Sequence, residues 1–369
     1  MGKVLNFIAG VIAFLLSLLV TLVIPLSMLG YNVARVVFDP PLVKRVITEI
    51  VVESDLIPVA LGWLSERRAA ERAEAEQPSP EDEPDIVQLL EFVDSDGWGR
   101  IKAEVLPDEI LVEWVSVTVD GVYAWIDSDD RIPDITFNMQ PFKDRVNSQH
   151  GSNSVQIVYD FLDPCEQAEI DDFLSRLSAA PAGKEVPYNL CQFPDPWHDD
   201  QFNDYHESLL DVVESVMPKF ALSQELAQVE NPGGIGPEAL KSQLRLTRSA
   251  ARLAPLAALA LLLLILLLTV RSWREFGRWW GLPLLIGGFL VVLIALLYSP
   301  IIVTLLAAGP MSEVPPLVRH EAAQAVIRLA KVIFGPMLPQ ALVVFAVGLV
   351  LTIVATVARD RQDDLEEWE

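Results

Sequence analysis

Four stretches of this chain are almost wholly apolar, and the polar residues between them set its organisation. Residues 4–29 are broken mainly by Asn6, Ser17, Thr21 and Ser27, with Pro25 near the end. The run is longer than the roughly 20 residues that a bilayer crossing needs. A cleavable signal peptide would have an apolar core of about 7–15 residues and a small-residue cleavage site. No Ala-x-Ala follows here, so residues 1–30 read as span 1, an uncleaved signal anchor. Residues 253–308 read as a hairpin of spans 2 and 3, LAPLAALALLLLILLLTV and GLPLLIGGFLVVLIALLYSPIIVTLLAA, around the basic, aromatic turn RSWREFGRWW. Span 4 lies within 339–358, and a charged tail, 359–369, follows. Between spans 3 and 4, Val318, Ala322, Val326, Leu329 and Ile333 share a face. Residues 309–338 are therefore expected to hold an amphipathic helix, broken by Pro336 and Pro339.

The polar segment, 31–252, alternates between helical stripes and turn signals. Val43, Ile47, Ile50 and Val51 predict a helix after Asp39-Pro40-Pro41, and Ser54-Asp55 a cap for a second one running into ERRAAERAEAE. QPSPEDEP at 77–84 reads as a linker. Ile86, Leu89, Leu90 and Val93 form a stripe closed by Asp94-Ser95-Asp96-Gly97, and 101–106 suits a short helix. Residues 108–126 are ambiguous: Leu111, Trp114 and Val115 suit a helix, but around Asp120-Gly121 WVSVTV and VYAWI are rich in valine and aromatics, which favours a β-hairpin over 114–126. Residues 135–139 alternate as a third strand would, and 154–161 suits strand or helix. Residues 166–177 and 205–217 predict amphipathic helices, and 238–252 a helix entering the membrane. The expected fold is mainly α. It has a four-helix transmembrane region and a large, mostly helical extracytoplasmic domain inserted between spans 1 and 2, with a small β-hairpin or sheet near 114–139.

Composition sharpens this picture. The chain of 369 residues is 51% hydrophobic, yet its formal net charge is -24. The two facts agree because apolar and acidic residues are segregated along the chain. A pI near 4.5 argues against nucleic acid as a partner. Positive-inside counting gives Lys3, Arg271, Arg274, Arg278, Arg359 and Arg361 to the side of the termini, and more basic residues to the other side. Long translocated domains largely escape that rule, however, and the short turn is the denser cluster. Both termini are therefore expected in the cytoplasm and 31–252 outside, at a cell membrane.

Candidate chemistry is sparse. Cys165 and Cys191 suggest a disulfide across a loop of about 26 residues, worth roughly 3–4 kcal/mol by loop entropy. Two buried free thiols are the alternative. The polar run Trp197 to Glu207 holds His198, Asp200 and His206, which are metal-ligand types. Their spacing lacks a His-Glu-x-x-His signature, and a solvated loop leading into a capped helix competes with a metal site. Asp94-x-Asp96-Gly97 and Asp127-x-Asp129-Asp130 fail the register of a calcium loop. Gly233, Gly234 and Gly236 lack the strand and the Lys-Ser/Thr of a phosphate loop. No nucleophile-and-base pair stands at a recognisable spacing, and the apolar runs of the spans (4–29, 253–270, 281–308 and 339–358) carry no Asp, Glu, Lys, Arg or His. Lys241, Arg245, Arg248 and Arg252 fall on one helix face. That face either snorkels to headgroups and pairs with the acidic domain, or forms a site for an anionic lipid or ligand. Arg271, Arg274, Arg278, Trp279 and Trp280 are the matching interface cluster in the turn.

The order of these segments resembles a family of bacterial integral membrane proteins of Chloroflexi type. The likeness lies in FDPPLVKRVITE, in FLDPCEQAEID answered by NLCQFPDP, and in LLLTVRSWREFGRWWGLPLLIGGFL. Pro164-Cys165, Cys191 to Pro194 and Gly281-Leu-Pro283 carry the pattern; the 77–84 linker does not belong to it. The resemblance implies four spans and a two-cysteine ectodomain, with no activity, cofactor or catalytic residue to carry over. The expected function is a non-enzymatic envelope scaffold or partner-binding protein, meeting lipid and a protein partner, with self-association compatible. A sensor that signals through a separate effector, or a channel or transporter component, is the alternative.

Overall fold

The computed structural model describes residues 2–74, 89–180, 186, 188–223, 236–269, 273–309 and 314–366. The 77–84 linker, most of the glycine-rich 231–237 segment and Arg271 lie outside them. The chain is mainly α and falls into two compact units. One comprises Met1–Val43, Asn231–Ser312 and Val326–Glu369; the other comprises Lys44–Glu230 and Glu313–Ala325.

The first unit is built from four helices long and apolar enough to cross a membrane, which mark the chain as a membrane protein. They are α1 (Gly2–Val37), α10 (Pro237–Thr269), α11 (Trp273–Ala308) and α12 (Pro316–Glu366). Each contributes two residues to one buried cluster: Val20 and Ile24, Leu262 and Ile265, Val291 and Ala295, Met337 and Ala341. Leu22, Leu26, Leu267 and Val343 remain exposed on the outer faces, as they would against hydrocarbon. Several threonine and serine hydroxyls in the spans are satisfied within their own helix. Thr21 Oγ1 donates to Ser17 O at 2.9 Å, and Thr352 Oγ1 to Gly348 O at 2.8 Å. Asn32 reaches further: its Nδ2 donates to Met28 O at 2.8 Å and to Gln340 Oε1 at 2.9 Å, tying α1 to α12.

Two expectations are corrected in this unit. Pro336 and Pro339 do not end a helix; α12 runs unbroken through both, and on through most of the tail. In an apolar environment a broken helix would leave peptide groups without partners, so the helix continues despite the ring. Residues 273–280, which the sequence pattern assigns to the turn between spans 2 and 3, are instead the first turns of α11.

Glycines set the approach of α11 to α12. A Cβ at Gly288 would lie 2.7 Å from Phe345 N, one at Gly281 2.7 Å from Thr352 Oγ1, and one at Gly348 would collide with Leu285 N. The backbones meet because these side chains are absent.

The second unit contains helices α2–α9 and the only sheet among the described residues. Asp39 Oδ1 accepts from Leu42 N at 3.2 Å and so caps α2 (Pro40–Val52), which opens on proline as first turns allow. Helix α3 (Leu56–Glu74) follows at the expected place after Ser54-Asp55. A 3₁₀ turn (Leu90–Phe92) leads into α4 (Ser95–Val105). The sequence pattern has Asp94 closing the preceding stripe. In the structure it opens α4 instead, accepting from Gly97 N at 2.8 Å.

The hairpin expected over 114–126 is absent; these residues belong to one helix, α5 (Asp108–Asp127). Ile110, Leu111, Val115, Val119 and Ile126 are buried along it, a helical stripe that outweighs the strand propensity of its valines. Asp120-Gly121 has tertiary reasons rather than a turn. Lys44 Nζ lies 2.7 Å from Asp120 Oδ2 and 3.0 Å from Ser116 Oγ, one helical turn back. A Cβ on Gly121 would sit 2.6 Å from Ile135 Cγ1. The third strand does form, as β1 (Thr136–Asn138), but it pairs antiparallel with β2 (Lys219–Ala221), with Phe137 opposite Phe220.

Helices α6 (Gln140–Val146), α7 (Gln149–Asp160), α8 (Gln167–Ala179) and α9 (His198–Ser215) follow among the described residues of this unit. The 154–161 ambiguity resolves as helix. Lys143 Nζ donates to Glu214 O at 3.0 Å and Val216 O at 2.7 Å, closing the end of α9. Glu166 and Glu169 form a capping box at the start of α8.

Replacing Gly348 with leucine should force α11 and α12 apart and cost about 1–3 kcal/mol. Unfolding by sodium dodecyl sulfate from lipid micelles, followed by far-UV circular dichroism, reads this. A variant as stable as the parent would show that the close approach carries no weight.

Candidate functional site

The polar run that the sequence suggests as a loop with metal-ligand types is, in the structure, the beginning of α9. Its centre is Gln201, a fully buried residue with 0% exposure. Gln201 Oε1 accepts from Tyr159 Oη at 2.8 Å and from Phe193 N at 3.0 Å. Its Nε2 donates to Cys191 O at 2.8 Å and Asn189 O at 3.2 Å, and lies 3.0 Å from Tyr205 Oη. Tyr205 Oη in turn donates to Asn189 O at 3.1 Å. One amide therefore joins α7, α9 and the 189–193 loop. Burial raises the phenol pKa values of Tyr159 and Tyr205, so both stay protonated and able to donate. Burial also raises Tyr188, with Asp200 and Asp204 adding to the shift.

The disulfide Cys165–Cys191 pins the same loop. Cys165 N donates to Gln192 O at 2.9 Å and Gln192 N to Asp163 O at 2.8 Å, so backbone pairing runs beside the covalent link. Cys191, Phe173, Phe193 and Ile170 form a small core beneath it. Both thiols are consumed, and the free-thiol alternative falls away.

The metal candidates do not converge. His198 is T-stacked on Tyr159 and its Nδ1 lies 3.2 Å from Asp199 Oδ1, while His206 stacks on Phe202 further along α9. His206 Nε2 is buried without a hydrogen-bond partner. Among the described residues, ligand-type groups gather within 4.8 Å only at Cys165, Glu169 and Cys191. There the sulfurs are bonded to each other and Glu169 Oε2 accepts from Glu166 N at 2.8 Å, so this is a staple beside a helix cap. Elsewhere His150 Nδ1 approaches Glu104 Oε2 at 2.6 Å, and that hydrogen bond holds the Glu104 carboxyl below its ordinary range.

Beside the Gln201 network lies a cavity of about 200 Å³. Trp98 and Ile101 of α4, Val155 and Val158 of α7, and Tyr205 and Leu209 of α9 face it. Its rim includes Val212, which is 47% exposed. The few polar groups in its wall are already committed. Ser154 Oγ donates to Gly151 O at 2.7 Å, Trp98 Nε1 to Ser65 Oγ at 3.0 Å, and the two tyrosines belong to the network. The cavity thus offers hydrocarbon contact and no hydrogen bond.

The basic candidates divide. Lys241 is buried, and Lys241, Arg245 and Arg248 are engaged elsewhere, Arg248 with its guanidinium 5.6 Å above the Phe38 ring. Arg252 is exposed. In α11, Arg278 lies 5.9 Å above the Trp279 ring, and Trp280 Nε1 donates to Leu262 O at 3.0 Å, locking α11 to α10. The side chain of Arg274 lies outside the described set, as does Arg271 entirely. Sequence patterns do not reveal Gln201, Tyr159 or Asn32. A glutamine four residues before Tyr205 and eight after Phe193 carries no signal that distinguishes a buried amide from a surface one. Comparison with protein-family models, with curated proteins and with solved structures finds no match to this chain.

Gln201→Leu should leave the Tyr159 hydroxyl, Phe193 N–H and Cys191 carbonyl without a partner and cost about 3 kcal/mol or more. Chemical denaturation of the oxidised protein, followed by near-UV circular dichroism, measures it. A loss under about 0.5 kcal/mol, the scale of an ordinary surface substitution, would mean the network is not a stabilising centre.

Proposed function

We propose that this chain is a non-enzymatic membrane protein whose disulfide-stapled helical domain, held outside the cytoplasm, binds an unbranched hydrocarbon chain of acyl type. The observation that carries the reading is the apolar cavity between α4, α7 and α9. Protein interiors are close-packed, with few voids larger than a water molecule. The apolar walls of this cavity, open at the Val212 rim, lack the packing contacts that an apolar guest would supply. An apolar cavity of about 150 Å³ is known to stay dry and to accept a benzene ring. A larger one with committed polar walls suits an apolar guest. The domain is joined covalently at both ends to membrane helices, which keeps it near a source of lipid. The disulfide supports an oxidising compartment, and with it both termini on the cytoplasmic side.

The binding half of the reading is tested with bromo-octanoic acid added to the full-length protein in nanodiscs. Bromine should quench Trp98 saturably, the quenched component vanishing in Trp98→Phe. Val155→Phe, which fills the cavity, should abolish saturation. Quenching that is unsaturable and equal in all three proteins would remove the support for this site.

The topological half is read by cysteine labelling in intact cells. Asp129→Cys, an exposed position, should react with an impermeant maleimide directly, and Gln362→Cys only after permeabilisation. The reverse order would place the domain in the cytoplasm.

A further inference from the structure

The end of α1 and one arginine of α10 enclose a cleft of about 350 Å³. Tyr31, Ala34, Arg35, Phe38, Asp39 and Arg252 form its walls. Arg35 is the first charged residue of α1 after Lys3, and Arg252 is the last before the apolar run of α10. Both guanidinium groups therefore stand where hydrocarbon gives way to headgroups on two neighbouring helices. Tyr31 is 41% exposed and suits the same level.

The charge in the cleft is unbalanced. Asp39 is its one acid, and that carboxylate accepts from Leu42 N as the cap of α2. Arg35 and Arg252 make no hydrogen bond or ion pair with another described residue, whereas Lys241, Arg245 and Arg248 do have interactions of their own. Arg248 covers the Phe38 ring and so fixes one wall. Indifferent snorkelling would treat the basic residues of the α10 face alike. Here a single member of that face is turned to a concavity shared with an arginine of another helix. Guanidinium groups bind phosphate oxygens through paired, charge-assisted hydrogen bonds, which an ammonium cannot reproduce.

We propose that this cleft is a headgroup site for an anionic phospholipid, with Arg35 and Arg252 gripping its phosphodiester and Tyr31 beside it. The inference is independent of the apolar cavity and concerns the membrane unit alone.

The test uses full-length protein in phosphatidylcholine nanodiscs containing a minority of phosphatidylglycerol, released into detergent and weighed by native mass spectrometry. The protein should retain one phosphatidylglycerol in preference to phosphatidylcholine. Arg35→Gln with Arg252→Gln should retain it about tenfold less. Arg278→Gln, which removes charge at the other end of the spans, should retain it fully. Should the double glutamine variant fail to fold by circular dichroism, Arg35→Lys with Arg252→Lys keeps the charge, and it should still lose most of the preference. Inorganic phosphate should not displace the lipid. Displacement by phosphate would make this a free-anion site and overturn the proposal. So would an absent preference in the parent protein, an equal loss in Arg278→Gln, or full retention by the lysine pair.

Discussion

An amide sealed from water must find its partners inside the protein, and Gln201 meets that demand from both ends. Its oxygen takes protons from a helix side chain and a loop N–H; its nitrogen gives protons to two loop carbonyls. The positions of α7, α9 and residues 189–193 are thus mutually fixed. The disulfide adds a covalent tie to the same loop through Cys191, the residue whose carbonyl Gln201 holds. The cavity owes its shape to this arrangement. Tyr159 and Tyr205 line it with their hydroxyls held in the network rather than offered to a guest.

The membrane helices meet the same demand in part and by different means. The hydroxyls of Thr21 and Thr352 fold back on their own helix carbonyls, and Asn32 Nδ2 reaches Gln340 across two helices, while Asn32 Oδ1 is buried without a partner. Proline inside α12 does not interrupt it, because a gap would cost more than the missing hydrogen bond. Gly281, Gly288 and Gly348 let the backbones of α11 and α12 come together, and the ring pairs Phe289–Phe345 and Tyr298–Phe334 pack beside them.

Those elements whose signal is local were legible in the sequence. The four apolar runs, the Asp39-Pro40 break, the cap before α3 and the helix entering span 2 all rest on length, periodicity or capping chemistry within a few residues. What failed depended on distant partners. Asp120-Gly121 resembles a hairpin turn until Lys44 and Ile135 are placed against it. Strand β1 was visible, but its partner lies some eighty residues on, and three residues such as Lys219–Ala221 carry no pattern of their own. Of the candidate site residues, the cysteine pair needed only proximity and was legible. His198, Asp200 and His206 were plausible by type alone, and the helix sends the two imidazoles to different neighbours. The cavity and the cleft are made of ordinary residues from several helices, and no stretch of sequence announces either.

Cys191 retains 3% of its surface, and it packs in one cluster with Phe173 and Phe193. Attack at the Cys191 sulfur therefore requires the 189–193 loop to lift away and the hydrogen bonds of Gln201 to break, whereas Cys165 is only half-buried and presents the more accessible sulfur. The staple is accordingly one-sided toward a soluble thiol, open at Cys165 and closed at Cys191.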